Sequence, residues 1–223
     1  MLDQWGEKWL EEGSLDIRLR KPVYHGQKIE ISGRFDTSSK PESCEVEAVC
    51  GTQTCASGNG LERESVPPNA LSISDFEDSL MPERGSSPFI DQSELFVGMP
   101  LGSIKNVYTR QDGHDFMERM GEEHPPFTLG DYAHPGVLLS YVIYAFVWSF
   151  TTPIGIHAGC YAHFHKLLKA GMKYETRGRI SKIYRIGSSD FVDYDCLVLS
   201  GRDIIMSSRQ QAVVGMDKNK STE

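Results

Sequence analysis

The chain has 223 residues, 39% of them hydrophobic, a formal net charge of −8 and a pI near 5.4. That length allows one large or two small domains with an ample core. The acidic balance excludes wholesale binding of nucleic acid or of an anionic membrane, while leaving room for a small anionic ligand on a local basic patch.

Residues 1–13 are predicted to be helical, with Trp5, Trp9 and Leu10 on one face and Gly13 as the stop. Leu15 to Arg20 alternates apolar and charged side chains, the pattern of a half-buried strand. Pro22 and His25-Gly26 make a turn. Lys28 to Phe35 is a second strand, with Ile29, Ile31 and Phe35 on one face, and Cys44 to Thr54 is a third. Residues 57–93, rich in Gly, Pro, Ser and acidic side chains, read as a partly disordered linker, or else as a long functional loop. Residues 94–133 open a second unit with a short strand, a helix around Asp112 to Met120 and a Pro-rich loop. His134 to Phe150 is a helix, apolar on nearly every side, which calls for enclosure. It falls short of the roughly 20 apolar residues that a membrane span needs. Tyr161 to Leu168, Tyr174 to Ile183, Asp190 to Leu199 and Asp203 to Val214 follow as strands, and residues 216–223 as a disordered tail.

The cysteines (Cys44, Cys50, Cys55, Cys160, Cys196) form no C-x-x-C pair and no finger with histidine. Reduced thiols in a cytoplasmic protein are expected, with no metal site. Met1 to Trp5 lacks the basic start of a signal peptide.

One passage occurs twice. Lys21 to Phe35 aligns without a gap on Lys166 to Ile180, a shift of 145 residues, with six of fifteen positions identical. The identities are Lys21/Lys166, Gly26/Gly171, Lys28/Lys173, Glu30/Glu175, Gly33/Gly178 and Arg34/Arg179. Gly51 and Gly201 match at a shift of 150, so the second copy has a hairpin five residues longer. Two copies of one β-rich unit are therefore expected.

These pieces resemble the MaoC-like double-hotdog acyl-thioester dehydratases and hydratases. Phe96-Val97-Gly98-Met99-Pro100-Leu101-Gly102 followed by Tyr108-Thr109-Arg110-Gln111-Asp112 looks like the domain opening of that group. Arg20 to Gly26 and His165 to Gly171 look like its strand and turn, and His134-Pro135-Gly136 like the step that opens its central helix. The resemblance implies an α+β hotdog fold, a curled antiparallel sheet around a long central helix. It implies two copies in tandem: a truncated first copy over residues 1–56 that lacks its central helix, and a complete one over 94–215.

The group adds water to, or removes it from, an acyl thioester with an Asp and a His in a Gly-Asp-x-Asn-Pro-x-His motif. A backbone N–H at the start of the central helix polarises the thioester carbonyl. Gly121 to Phe127 falls at that motif. Glu122 keeps the acid, His124 stands at the Asn position and Phe127 at the His position. Glu122, His124 and His134 are thus the catalytic candidates, although His134 has a simpler reading as a helix cap. Gly136 offers the N–H, unless it serves only the turn. Phe127, His157, Arg177 and Arg179 are substrate-binding candidates. A core or interface role is the alternative for His157, and a solvated face for the arginines. No cofactor is implied. The expected partners are acyl-CoA or an acyl-carrier thioester and a second hotdog chain, in a homo- or heterodimer. Two further readings stay open: a non-catalytic thioester-binding or partner subunit, and a hotdog acyl-CoA thioesterase.

Overall fold

The computed structural model describes residues 1–64, 71–121 and 123–216, with only the backbone of Gln92 and Pro126. The first copy holds two one-turn helices, α1 (Leu2–Trp5) and α2 (Trp9–Glu12), then strands β1 (Ser14–Leu19), β2 (Glu30–Asp36), β3 (Ser43–Cys50) and β4 (Gln53–Leu61). The second holds β5 (Pro100–Val107), α3 (Arg110–Met120), α4 (Pro125–Thr128), α5 (Pro135–Ser149), β6 (Ile156–Phe164), β7 (Lys173–Ile186), β8 (Ser189–Ser200) and β9 (Asp203–Met216). All nine strands form one antiparallel sheet in the order β2-β3-β4-β1-β6-β9-β8-β7-β5.

That order is the repeat written in three dimensions. β1-β4-β3-β2 mirrors β6-β9-β8-β7 about the central β1–β6 pair. At the seam Asp16 lies opposite Tyr161, its own counterpart at the shift of 145, so a local twofold passes between them. Gly26 and Gly171 have φ of +83° and +86°, and the turns they close are alike: Gln27 N–H donates to Tyr24 O, Met172 N–H to Lys169 O. Arg20 and Lys21 both donate to Cys55 O, as His165 and Lys166 both donate to Ile205 O. Even the ladder register is copied. Phe35 faces Cys44, Gly33 faces Val46 and Ile31 faces Ala48, while Ile180 faces Tyr194, Gly178 faces Cys196 and Thr176 faces Val198.

The copies differ in what covers them. α5 packs on β5, β7, β8 and β9. Its buried side chains Val137, Leu138, Val142 and Phe146 join Ile180, Tyr194, Cys196, Val198 and Val214 in the core. Among the described residues, the same inner face of the first copy carries only α1 and α2. There Trp5 meets Phe35 at 5.3 Å and Trp9 meets Phe164 at 5.2 Å. Ile31 is left 79% exposed where its counterpart Thr176 is fully buried.

Four expectations need correction. Residues 1–13 form two helices because Gly6 takes φ of +69° and ends the first. Cys44 to Thr54 is a hairpin, turned at Gly51 with φ of +61°. The first copy extends past residue 56, since β4 runs to Leu61. Ser57-Gly58-Asn59-Gly60 reads as loop chemistry, yet its glycines answer a close approach: a Cβ on Gly58 would lie 2.1 Å from Asp16 O. Finally, α5 is not enclosed all round. One sheet covers one side of it, and Tyr144, Val147 and Trp148 remain 39%, 44% and 36% exposed.

The described part of the segment expected as linker is docked on the second copy. Phe76 packs on Leu197 and Leu199 on the outer face of the sheet, away from α5. Ser79 bridges to Gly102 and Phe89 to Thr151. Residues 65–70 of the expected linker and 217–223 of the expected tail lie outside the described residues. No helix among the described residues is long and apolar enough to cross a membrane.

Candidate active site at the start of helix α5

Helix α3 is fixed at both ends. Thr109 and Asp112 form a capping box at its start, and Gly121, with φ of +65°, ends it with an N–H donated to Met117 O. Four residues on, Pro125 starts α4, a position that suits a residue without an N–H. Gly130, with φ of +67°, turns the chain back and donates to Phe127 O. Ala133 N–H then bonds Leu168 O, which delivers His134 to the start of α5.

This path gathers four of the predicted residues. Phe127 is 1% exposed, with its ring centroid 4.6 Å from His134, 5.7 Å from Tyr132 and 5.9 Å from His124. His134 is half-buried and caps α5: its Nδ1 accepts the Gly136 N–H at 2.9 Å. The N–H expected to hold a thioester oxygen is thus engaged by the imidazole two residues before it. The bond fixes the acceptor nitrogen of His134 as Nδ1 and leaves Nε2 as the donor of the neutral ring. Phe116 lies 5.7 Å from the His134 ring, and a Cβ on Gly136 would stand 2.8 Å from Phe116 Cζ, so a side chain there would have to displace that ring. Glu122 lies outside the described residues. Its neighbour Glu123 is exposed.

Beside this cluster a cleft of about 320 Å³ runs between α3 and α5. Phe116, Met120, Val137, Tyr141 and Tyr144 give it apolar walls; Asp112, Asp115, Arg119 and Ser140 give it polar ones. Tyr141 stacks on Tyr174 at 4.3 Å, and burial pushes its hydroxyl well above the usual tyrosine range. Sequence reasoning missed this cleft. Its signal was present: Val137, Ser140, Tyr141 and Tyr144 recur at i, i+3, i+4 and i+7, one side of a helix.

The other three predicted residues lie elsewhere. His157 sits on β6, with Nε2 2.9 Å from Gln210 Oε1, and burial pulls its pKa below the usual 6.5. Arg177 and Arg179 are on the outer face, on the side of the sheet opposite α5. The Arg177 guanidinium bonds Glu175 and Phe76 O; that of Arg179 bonds Asp75 O and lies 5.0 Å over the Phe76 ring. The neighbouring Cys160 is 8% exposed, and burial pushes its thiol up to about 11, the state of an inert core cysteine. Among the described residues no cluster of three His, Cys, Asp or Glu side chains could hold a metal ion.

No family model matches this sequence, and no curated protein sequence matches it. Solved structures do. A MaoC-like dehydratase is similar over 92% of this chain and 75% of its own, with a TM-score of 0.58 and 11% identity. A protein described as an oleoyl thioesterase from Lactobacillus plantarum is similar over 97% of this chain and 84% of its own, with a TM-score of 0.56 and 10% identity. A tesB protein from Mycobacterium avium subs. paratuberculosis gives a TM-score of 0.50 at 10% identity. At such identities the likeness speaks for the fold. The chain therefore has a tandem hotdog fold, shared with these structures, whose first copy shows no long central helix among the described residues.

Proposed function

We propose that the protein is an acyl-thioester hydro-lyase with an altered catalytic motif, acting on a 2-enoyl or 3-hydroxyacyl thioester. The observation that carries this reading is the convergence of His124, Phe127, His134 and Gly136 at the start of α5, beside a cleft of about 320 Å³. Such a volume lies at the lower end of small-molecule sites. Its apolar wall suits a short acyl group.

In hydration, water adds its oxygen to C3 of the enoyl group, its proton passes to a carboxylate, and C2 takes up a proton. Glu122 is the carboxylate in this scheme, a role that rests on the motif alone. His134 meets the thioester carbonyl as a donor through Nε2, because Nδ1 is committed to Gly136. The positive end of α5 favours the enolate charge that develops there.

A second reading has its own support. Phe127 fills the position of the group's histidine and is 1% exposed, and the Gly136 N–H is already bonded. A thioester-binding partner subunit without turnover would look like this. Purified protein with 2-enoyl-CoA separates the readings. Hydration followed at the enoyl absorbance, lost in Glu122→Gln and in His134→Ala, supports the hydro-lyase. Thioester binding without turnover supports the partner subunit, and release of free thiol would point to a thioesterase.

A further inference from the structure

β2 is the free edge of the sheet, and all seven of its residues are exposed. The equivalent edge, on β7, is taken by β5 from Pro100 opposite Arg179 to Val107 opposite Lys173. The fold thus accepts a strand at this place, and in the first copy this chain supplies none among its described residues. An unpaired edge is usually protected by charge. On β2 and its approach the outer-face charges run Lys28, Glu30, Ser32, Arg34, Asp36, a sequence antisymmetric about Ser32.

We infer that β2 pairs antiparallel with β2 of a second copy of this chain, about a twofold axis at Ser32. Side chains keep to their own face in such a pairing, so the register can slide only in steps that preserve the face. Centred on Ser32, it sets Glu30 against the partner's Arg34 and Lys28 against the partner's Asp36, each twice by symmetry. On the inner face Ile29 meets the partner's Phe35, and Ile31 meets the partner's Gly33. Neighbouring registers fail. Centred on Ile31, Lys28 faces the partner's Arg34; centred on Gly33, Glu30 faces the partner's Asp36. Both set like charges together. Within one chain Lys28 bridges Glu30 at 3.5 Å, and Arg34 bridges Glu45, all four side chains more than 60% exposed. Exposed pairs of this kind do little to hold the groups back. The seam already shows the geometry, since β1 and β6 pair antiparallel about a local twofold at Asp16 and Tyr161.

Sedimentation equilibrium on the full chain tests the inference. Wild type is expected to dimerise. Glu30→Arg and Arg34→Glu should each raise the dissociation constant roughly tenfold, and the double exchange should restore it. High salt should narrow these differences. Directly opposed residues of antiparallel strands lie about 4.5–5.5 Å apart, within reach of a disulfide. Ser32→Cys should therefore crosslink under mild oxidation, beyond the wild-type background from Cys50, while Ile31→Cys should not. A chain that stays monomeric at every concentration overturns the inference, including the case in which a different protein covers the first copy. A dimer indifferent to both charge reversals overturns it as well, as does one that crosslinks at Ile31 and not at Ser32.

Discussion

Replacing His134 separates two duties that one ring performs. Alanine removes the Nδ1 that accepts the Gly136 N–H at 2.9 Å. The loss of an N-cap costs about 1 kcal/mol. It also removes ring contacts with Phe127 at 4.6 Å and Phe116 at 5.7 Å. Aromatic pairs of this kind add about 0.5–1.5 kcal/mol each. The ring is only half-buried, so the expected total is about 2–3 kcal/mol. For a chain of this size that lowers Tm by roughly 4–12 °C. Asparagine restores a capping oxygen without the ring, so His134→Asn should lose about half as much. Hydration of 2-enoyl-CoA should disappear in both variants, because neither carries an Nε2–H. Differential scanning calorimetry and the enoyl absorbance supply the two readings. Equal destabilisation by alanine and asparagine would falsify the capping argument. Wild-type turnover in His134→Asn would remove the ring from the mechanism.

Three further outcomes follow from the geometry. Gly58→Ala should cost roughly 3 kcal/mol or more in urea unfolding, because its Cβ meets the backbone of Asp16 at 2.1 Å. Gly155→Ala, with nothing within 4 Å, should stay within about 0.5 kcal/mol of wild type. Stability should fall with acid. His163 and His165, rings 4.1 Å apart, are both held below the usual 6.5 by burial, His165 at about 4. Their contribution is complete above pH 6.5 and is lost as pH falls towards 4, since the unfolded chain then binds more protons. Glutamine at either position should flatten that slope between pH 7 and 5. Arg179→Ala should leave thioester binding unchanged and speed proteolysis of residues 71–81, because its guanidinium holds Asp75 O and the Phe76 ring.

The repeat made much of the fold readable before any coordinates. Paired glycines at 26 and 171 needed positive φ, and charges alternating with apolar residues set the strand faces. The helix from 134 to 150 was legible for its unbroken apolar run. Other parts were hidden because one residue type serves two physical needs. Gly58 and Gly60 look like punctuation, yet Gly58 lets two strands approach and Gly60 leaves room for the Met1 side chain. Phe76 is a lone aromatic among serines and acids, and nothing local tells that it docks on Leu197 and Leu199. At the site, His124, Phe127, His134 and Gly136 converge because α4 is one turn long and folds back at Gly130. Arg177 and Arg179 alternate with Thr176, Gly178 and Ile180, so their placement on a common face was visible. Which of the two faces carries α5 was not, since each β7 side chain reads the same in either orientation.

The six identities between the two copies fall on turn glycines, on outer charges and on Gly33 with Gly178. None is an apolar core residue: Ile31 matches Thr176, and Phe35 matches Ile180. A Cβ on Gly178 would stand 2.6 Å from Cys196 Sγ, and one on Gly33 would stand 3.3 Å from Cys44 Sγ. What the halves hold in common is thus a rim of charge and a way of bending, the places where the ribbon folds over or runs close to its neighbour. Their fillings have drifted apart in identity, and it is the cover, not the oiliness, that differs: Ile31 meets water where Thr176 does not.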